Sequence, residues 1–307
     1  MSLRGELENL FKKYNIRPTK IRGQNFLIDE EVLDEIISAA EIKSTETILE
    51  IGPGLGFLTE RLLARAKKVV AVELDAQLFK ILREKFAGVK NLELINEDIL
   101  KFDFNFLFDN SSRPSHSSPT RRASNLRGGA RVPPLGVRGG GGSYKIVANI
   151  PYEITSPILQ KFLTCAYPPR EMTLMVQKEV AERITNPKKR SLLSISVWLY
   201  GEPEVVATVP PSAFYPEPEV TSAILRIKVK KLSAEDRANN EKALKIAKIG
   251  FMSPRKKLIN NLFVGLAMPK ENLSPVFTEL GLNENIRAEE LEPTDWLLLS
   301  GVLKNIV

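Results

Sequence analysis

Five short β-branched or apolar runs alternate with helical patterns, and this alternation limits the architecture of the chain more than any other feature. The runs are Thr47 to Ile51, Lys68 to Val72, Leu92 to Ile95, Lys145 to Ala148 and Met172 to Val176. Glu30 to Ala40, Leu58 to Ala66, Ala76 to Phe86 and Ser156 to Leu163 lie between or beside them with apolar residues at helical spacing. Strands separated by helices build βαβ units, so the pattern predicts an α/β fold with a mainly parallel sheet and helices on both faces. Glu204 to Val209 and Thr221 to Val229 bracket the proline-rich stretch Pro210 to Pro218 and read as an antiparallel pair at the sheet edge. After Lys231 the pattern is helical, punctuated by Pro254, Pro269, Pro275 and Pro293. The expected division is an α/β domain over 1–230 and a small all-helical domain over 231–307.

Composition narrows the chemistry. Hydrophobic residues make up 43% of the 307 positions, enough for a real core. No apolar run reaches the roughly 20 residues of a membrane span, so no membrane partner is expected. The single cysteine, Cys165, cannot form an internal disulfide, which points to a reducing, cytoplasmic setting. With His116 as the one histidine, Cys/His zinc sites and Cys–His nucleophile pairs are excluded, and no metal is expected. The formal net charge of +7 suggests a nucleic-acid partner, but Ser111 to Ser143 alone carries six arginines and no acid. That stretch is Ser/Pro/Arg-rich, then Gly-rich, and reads as a disordered insert. Local clusters are more telling: Lys12, Lys13, Arg17, Lys20 and Arg22, then Lys242, Lys245, Lys248, Arg255, Lys256 and Lys257 with no acid between 242 and 257.

The loop Glu50-Ile-Gly52-Pro-Gly54-Leu-Gly56 follows a strand and opens a helix. Its glycines allow a sharp turn and close approach of a ligand. The spacing is G-x-G-x-G rather than the dinucleotide G-x-G-x-x-G, and Glu50 would be unwelcome beside a pyrophosphate. It suits a ligand bearing an ammonium and a sulfonium. Glu73 ends the next strand, about 20 residues on, where a carboxylate can accept from two ribose hydroxyls. Asp98 is a third acidic residue at the same sheet edge. Together these make a nucleoside-shaped site that fits S-adenosylmethionine better than NAD.

The fourth strand ends Asn149-Ile150-Pro151-Tyr152. An exocyclic aromatic amine is a poor nucleophile because its lone pair is delocalised into the ring. The Asn149 side-chain oxygen and a backbone carbonyl beside a proline can accept its two N–H bonds and pyramidalise the nitrogen, while Tyr152 stacks on the base. No histidine or general base is needed. A flipped or single-stranded adenine is the natural substrate, and Phe214 could supply the second face of an aromatic sandwich.

Gly23-Gln-Asn-Phe-Leu27, Glu50-Ile-Gly-Pro-Gly-Leu-Gly56, Glu73, Asp98, Asn149-Ile-Pro-Tyr152 and Val209-Pro-Pro-Ser-Ala-Phe214 occur in the order seen in ribosomal RNA adenine N6,N6-dimethyltransferases. Ser253 to Leu262 and Arg287 to Pro293 are also similar to that family, and the resemblance covers the chain except 111–143. It implies a Rossmann-like class I methyltransferase sheet with a helical C-terminal domain. It also implies transfer of two methyls from S-adenosylmethionine to each of two adjacent adenines near the 3′ end of small-subunit rRNA. By this resemblance Asn25 and Leu27 line the methionine side of the cofactor, and Gly52 and Gly54 lie in its loop. Glu73 takes the ribose hydroxyls and Asp98 the adenine amine. Asn149, which also borders the cofactor, acts with Tyr152 and Phe214 on the target base. Lys245, Lys248, Arg255, Lys256 and Lys257 are expected to meet RNA phosphates. The expected partner is a pre-ribosomal particle, met by a monomer. The alternatives are a large-subunit rRNA methyltransferase of the macrolide-resistance type, to which Ile150 leans, and a non-catalytic assembly factor. A nicotinamide oxidoreductase is disfavoured by the glycine spacing.

Overall fold

The computed structural model describes residues 2–16, 24–102, 144–186, 188 and 190–303. The segment 111–143 and Arg17, Lys20 and Arg22 lie outside the described residues. In chain order the first elements are α1 (Leu3–Tyr14), β1 (Phe26–Leu27), α2 (Glu30–Ala40), β2 (Thr47–Ile51), α3 (Phe57–Leu63), β3 (Lys68–Glu73), α4 (Ala76–Lys85) and β4 (Leu92–Asn96). There follow β5 (Tyr144–Asn149), α5 (Thr155–Thr164), β6 (Glu171–Gln177), α6 (Lys178–Thr185), α7 (Leu192–Tyr200), β7 (Gly201–Val209), β8 (Phe214–Tyr215) and β9 (Ser222–Val229). Helices α8 (Ala234–Gly250), α9 (Leu258–Leu266), α10 (Lys270–Glu279) and α11 (Pro293–Val302) complete the described chain.

Among the described residues one sheet has seven strands in the order β4-β3-β2-β5-β6-β9-β7. The first five run parallel, and β9 is antiparallel to both neighbours. The sheet is therefore Rossmann-like, with the expected antiparallel pair at one edge and β7 outermost. Central strands are buried on both sides, which is why β3 reads Lys-Val-Val-Ala-Val-Glu without polar alternation. Strand order reverses between β2 and β5, opening a crevice at their carboxyl ends.

Two apolar layers flank the sheet. Leu49, Ile51, Val70, Val72, Ile146 and Ala148 face a core shared with α5 and α7. Ile48, Val69, Ala71 and Val147 face the layer of α2, α3 and α4. Helix starts are capped: Asp29 accepts from the Glu31 and Val32 amides at α2, and Asp75 from Gln77 and Leu78 at α4. The C-terminal helices extend the first core rather than forming a separate one, with Ala243, Leu258, Phe277 and Trp296 in the same buried cluster as the sheet. No helix among the described residues is long and apolar enough to cross a membrane.

Candidate functional site

Side chains alternate between sheet faces with a period of two. Glu50 shares its face with Ile48, Glu73 with Val69 and Ala71, and Asn149 with Val147, so all three point into the layer of α2 to α4 at the carboxyl ends of adjacent strands. The glycine loop turns above them. Gly52, Gly54 and Gly56 have φ of 67°, 61° and 84°, backbone that side chains other than glycine rarely adopt. The Gly54 amide donates to Glu73 Oε2 at 3.0 Å and the Asp75 amide to Oε1 at 2.9 Å, so the carboxylate ties the loop to the end of β3. Lys85 on α4 donates to the Leu55 carbonyl at 3.2 Å and pairs with Glu6 and Glu60, clamping the loop to α1 and α3.

The crevice is a cavity of ≈ 680 Å³, a size suited to a cofactor. Asn25, Leu27, Gly52, Gly54, Glu73, Asn149 and Tyr152 all line it, bringing together motifs that are far apart in sequence. Glu50, Glu73, Asp75 and Glu153 contribute four carboxyl groups, and no Lys, Arg or His lines it among the described residues. Leu74 adds an apolar ledge, 69% exposed. Glu50 is 1% exposed. Thr59 donates its hydroxyl to Glu50 Oε2 at 2.7 Å, while Oε1 has no hydrogen-bond partner. Burial, partly offset by the Thr59 bond and reinforced by the Glu73 charge, pushes Glu50 up to about 8. Burial also raises Glu73, against the pull of its backbone donors at Asp75 and Gly54. Acidic, apolar, glycine-floored and with an orphaned buried oxygen, these residues fit a cationic nucleoside such as S-adenosylmethionine.

On β5, Asn149 Nδ2 donates to the Asn25 carbonyl at 3.2 Å. That commits the amide nitrogen to the cavity wall and leaves Oδ1 as the acceptor for an incoming amine. Tyr152 opens a 3₁₀ turn and shares a hydrogen bond of 2.6 Å with Ser222 on β9. Burial lifts its phenol above the ordinary range, so it is a neutral ring and not a base. Ser222 carried no sequence signal; only the antiparallel pairing of β9 with β6 brings it to Tyr152.

Phe214 is 1% exposed, belongs to the same buried cluster as α2, and is not among the residues lining the cavity. The reason is a second, two-stranded sheet in which Leu27 pairs with Phe214 and Phe26 with Tyr215, extended by the Ile28 amide donating to the Ala213 carbonyl. Phe214 thereby fastens the strand that carries Leu27 into the cavity wall. Phe11 on α1 packs edge-on against Phe26, ring centroids 5.6 Å apart, backing that wall.

Asp98 also lies outside the cavity lining. Its Oδ1 accepts from the Leu100 amide at 2.9 Å, capping the turn after β4, and Oδ2 faces Lys101 at 3.6 Å. Lys245 and Lys248 are exposed one helical turn apart on α8, and Arg255, Lys256 and Lys257 are exposed on the turn into α9. Lys257 is fixed there by a hydrogen bond to Asn285.

Comparison with known proteins places this geometry. The family model described as ribosomal RNA adenine dimethylase matches residues 17–305. A relative from Dehalococcoides mccartyi strain CBDB1, named ribosomal RNA small subunit methyltransferase A, is 39% identical over 296 residues, covering 96% of this chain and 91% of that protein. A dimethyladenosine transferase from Plasmodium falciparum superposes with a TM-score of 0.69 at 26% identity, covering 91% of this chain and 98% of its own. The 23S rRNA methyltransferase ErmE superposes with a TM-score of 0.63, also at 26% identity, over 91% of this chain and 100% of its own.

Proposed function

The chain belongs to the ribosomal RNA adenine dimethylase family, and from that premise we propose that its cavity serves transfer of methyl groups to N6 of two adjacent adenines near the 3′ end of small-subunit rRNA. The observation that carries the reading is the meeting of Glu50, Glu73, Asn149 and Tyr152 in one cavity lined by carboxyl groups without a cation. The small-subunit substrate is supported by the 39% identity to a relative named ribosomal RNA small subunit methyltransferase A. S-adenosylmethionine, the methyl donor, supplies a methyl on positive sulfur that departs as a neutral thioether.

The chain's own residues supply position and polarity. Glu73 accepts the ribose hydroxyls, and Gly52 and Gly54 let the backbone approach the cofactor. Asp98 is assigned the cofactor's adenine amine through Oδ2, the oxygen that the Leu100 amide leaves unused. Asn149 Oδ1 and the Ile150 carbonyl beside Pro151 accept the two N6–H bonds of the target, turning its lone pair toward the methyl. Tyr152 holds the base plane, and the proton lost from N6 goes to water. A second methyl needs the same acceptors for a monomethylated amine. Lys245, Lys248, Arg255, Lys256 and Lys257 are assigned to rRNA phosphates of a pre-ribosomal particle, met by a cytoplasmic monomer.

Transfer of labelled methyl to unmethylated small-subunit particles, with large-subunit rRNA in parallel and products hydrolysed to nucleosides, tests the proposal. Dimethyladenosine from small-subunit particles alone is expected, and its loss in Asn149→Ala. Label in large-subunit RNA would overturn the substrate assignment.

A further inference from the structure

Glu50 suits a cationic ligand, yet the steps of methyl transfer give its carboxyl no proton or bond to handle. It ends β2 immediately before the glycine loop, lines the cavity, and is buried with Oε1 unpartnered. A lone carboxylate in such a place is heavily penalised, because protein replaces its water with nothing that donates. The groups packed around it do not relieve this. From β3 comes the Glu73 carboxyl, whose charge opposes ionisation of Glu50, with Asp75 beyond it. Helix α3 offers only the Thr59 hydroxyl, α2 the apolar Leu33, and β5 the Asn149 amide, whose nitrogen is committed to Asn25. The missing cation is one that a ligand could bring.

We propose that Glu50 is a charge-sensing, specificity-determining residue: a neutral acid in the empty cavity, it yields its proton to solvent when a ligand with positive sulfur enters. The inference rests on the reading of this cavity as the S-adenosylmethionine site. The exchange balances: carboxylic acid plus cationic ligand gives carboxylate, bound cation and one solvent proton. Once the methyl has left, the sulfur is neutral, part of the attraction is gone, and the carboxyl regains its proton. The spent cofactor is thereby held less firmly than the fresh one at neutral pH, by the charge of one sulfur atom.

Calorimetric titration of the full chain, in paired buffers of different ionisation enthalpy from pH 6 to 8.5, reads the effect without any catalysis. With S-adenosylmethionine the Kd should fall about tenfold per pH unit between 6 and 7.5 and level off above 8, with close to one proton released at pH 7. With S-adenosylhomocysteine the slope and the proton release should be smaller. Each ligand's own amine titrates in every protein tested, so the difference between wild type and Glu50→Gln carries the reading, and that variant should lose the slope. Thr59→Val removes the hydroxyl that favours the carboxylate and should move the inflection to higher pH, deciding the matter if Glu50→Gln does not fold. A wild-type slope equal to that of Glu50→Gln, or an inflection left in place by Thr59→Val, overturns the proposal. Failure of the wild type to bind S-adenosylmethionine at any pH overturns the cavity assignment instead.

Discussion

Tyr152 enters the proposed reaction with its polar end already occupied. Its hydroxyl is committed to Ser222 and its phenol is kept neutral, so only the ring face remains to act. Tyr152→Ala should slow single-turnover methyl transfer by about 5- to 150-fold, equivalent to ~1–3 kcal/mol of stacking, at unchanged S-adenosylmethionine affinity. Tyr152→Phe should retain most of the rate; equal loss in both would remove stacking as the role. Glu50 matters to stability as well. Its folded value of about 8 lies above the ordinary 4.5, so the folded state holds its proton more tightly than the unfolded chain. The contribution of Glu50 is therefore full below pH 4.5 and is lost as pH rises through 8, by roughly 5 kcal/mol for the whole shift. Ligand-free protein should show this decline in urea midpoints, and Glu50→Gln should flatten it. At this scale the sequence was legible where strand parity governs. Glu73 and Asn149 were assigned from strand ends and stand together, because a period of two leaves them no other face. The burial of Phe214 was not legible, because a motif names a residue without saying which way its ring turns, and pairing with Leu27 turns it inward.

Among the elements, the glycine loop separates two kinds of constraint. A Cβ on Gly52 would meet only the Asn149 carbonyl at 4.0 Å, so Gly52→Ala should fold, at ~1–2 kcal/mol of backbone strain. Its methyl would stand where the cofactor must approach, and affinity for S-adenosylmethionine should drop roughly tenfold or more. A Cβ on Gly56 would come within 2.6 Å of the Phe86 ring, so Gly56→Ala should lower the melting temperature first. Equal effects from the two would deny the loop its ligand-facing role. Neutralising Lys245, Lys248, Arg255, Lys256 and Lys257 should weaken RNA binding and flatten its salt dependence, by about 0.7–0.9 in log–log slope for each phosphate left without its cation, at unchanged cofactor affinity. Strands β2 to β6 were visible as β-branched or apolar runs, and α2 as an amphipathic repeat. Helix α7 was not: Leu192–Tyr200 is wedged between the sheet and the C-terminal helices and is apolar nearly all round, so it shows no helical period. Strands β1 and β8 are two residues each, too short for any period.

For the molecule as a whole, the sequence suggested a division near 230, and β9 ends at Val229 before α8 begins at Ala234. The packing nevertheless runs across that line, since Trp296 and Ala247 share a buried cluster with Tyr200 and Leu225. One cooperative unfolding transition is the expected consequence. The two tryptophans, Trp198 and Trp296, lie on opposite sides of the line and can report on it separately. Fluorescence of Trp296→Phe and of Trp198→Phe should each match the urea midpoint of the same variant's far-ultraviolet circular dichroism. Separate midpoints would mean the helical part melts by itself. The arginine-rich segment 111–143 leads into β5 through Tyr144, at the opposite end of that strand from Asn149. Its deletion should leave S-adenosylmethionine affinity unchanged, and a loss of affinity would refute that placement.

The small sheet joining Phe26 to Tyr215 also bears on how the protein comes into being. A chain emerges from its ribosome amino end first, at ~5–20 residues per second. The wall carrying Asn25 and Leu27 is made early, yet its fastening strand arrives about 190 residues later, a delay of ~10–40 s. During that interval the nascent chain holds an unfastened cofactor wall and an edge open to the wrong partner. Competence is thus acquired late in synthesis, after nearly every other part of the cavity has already been translated.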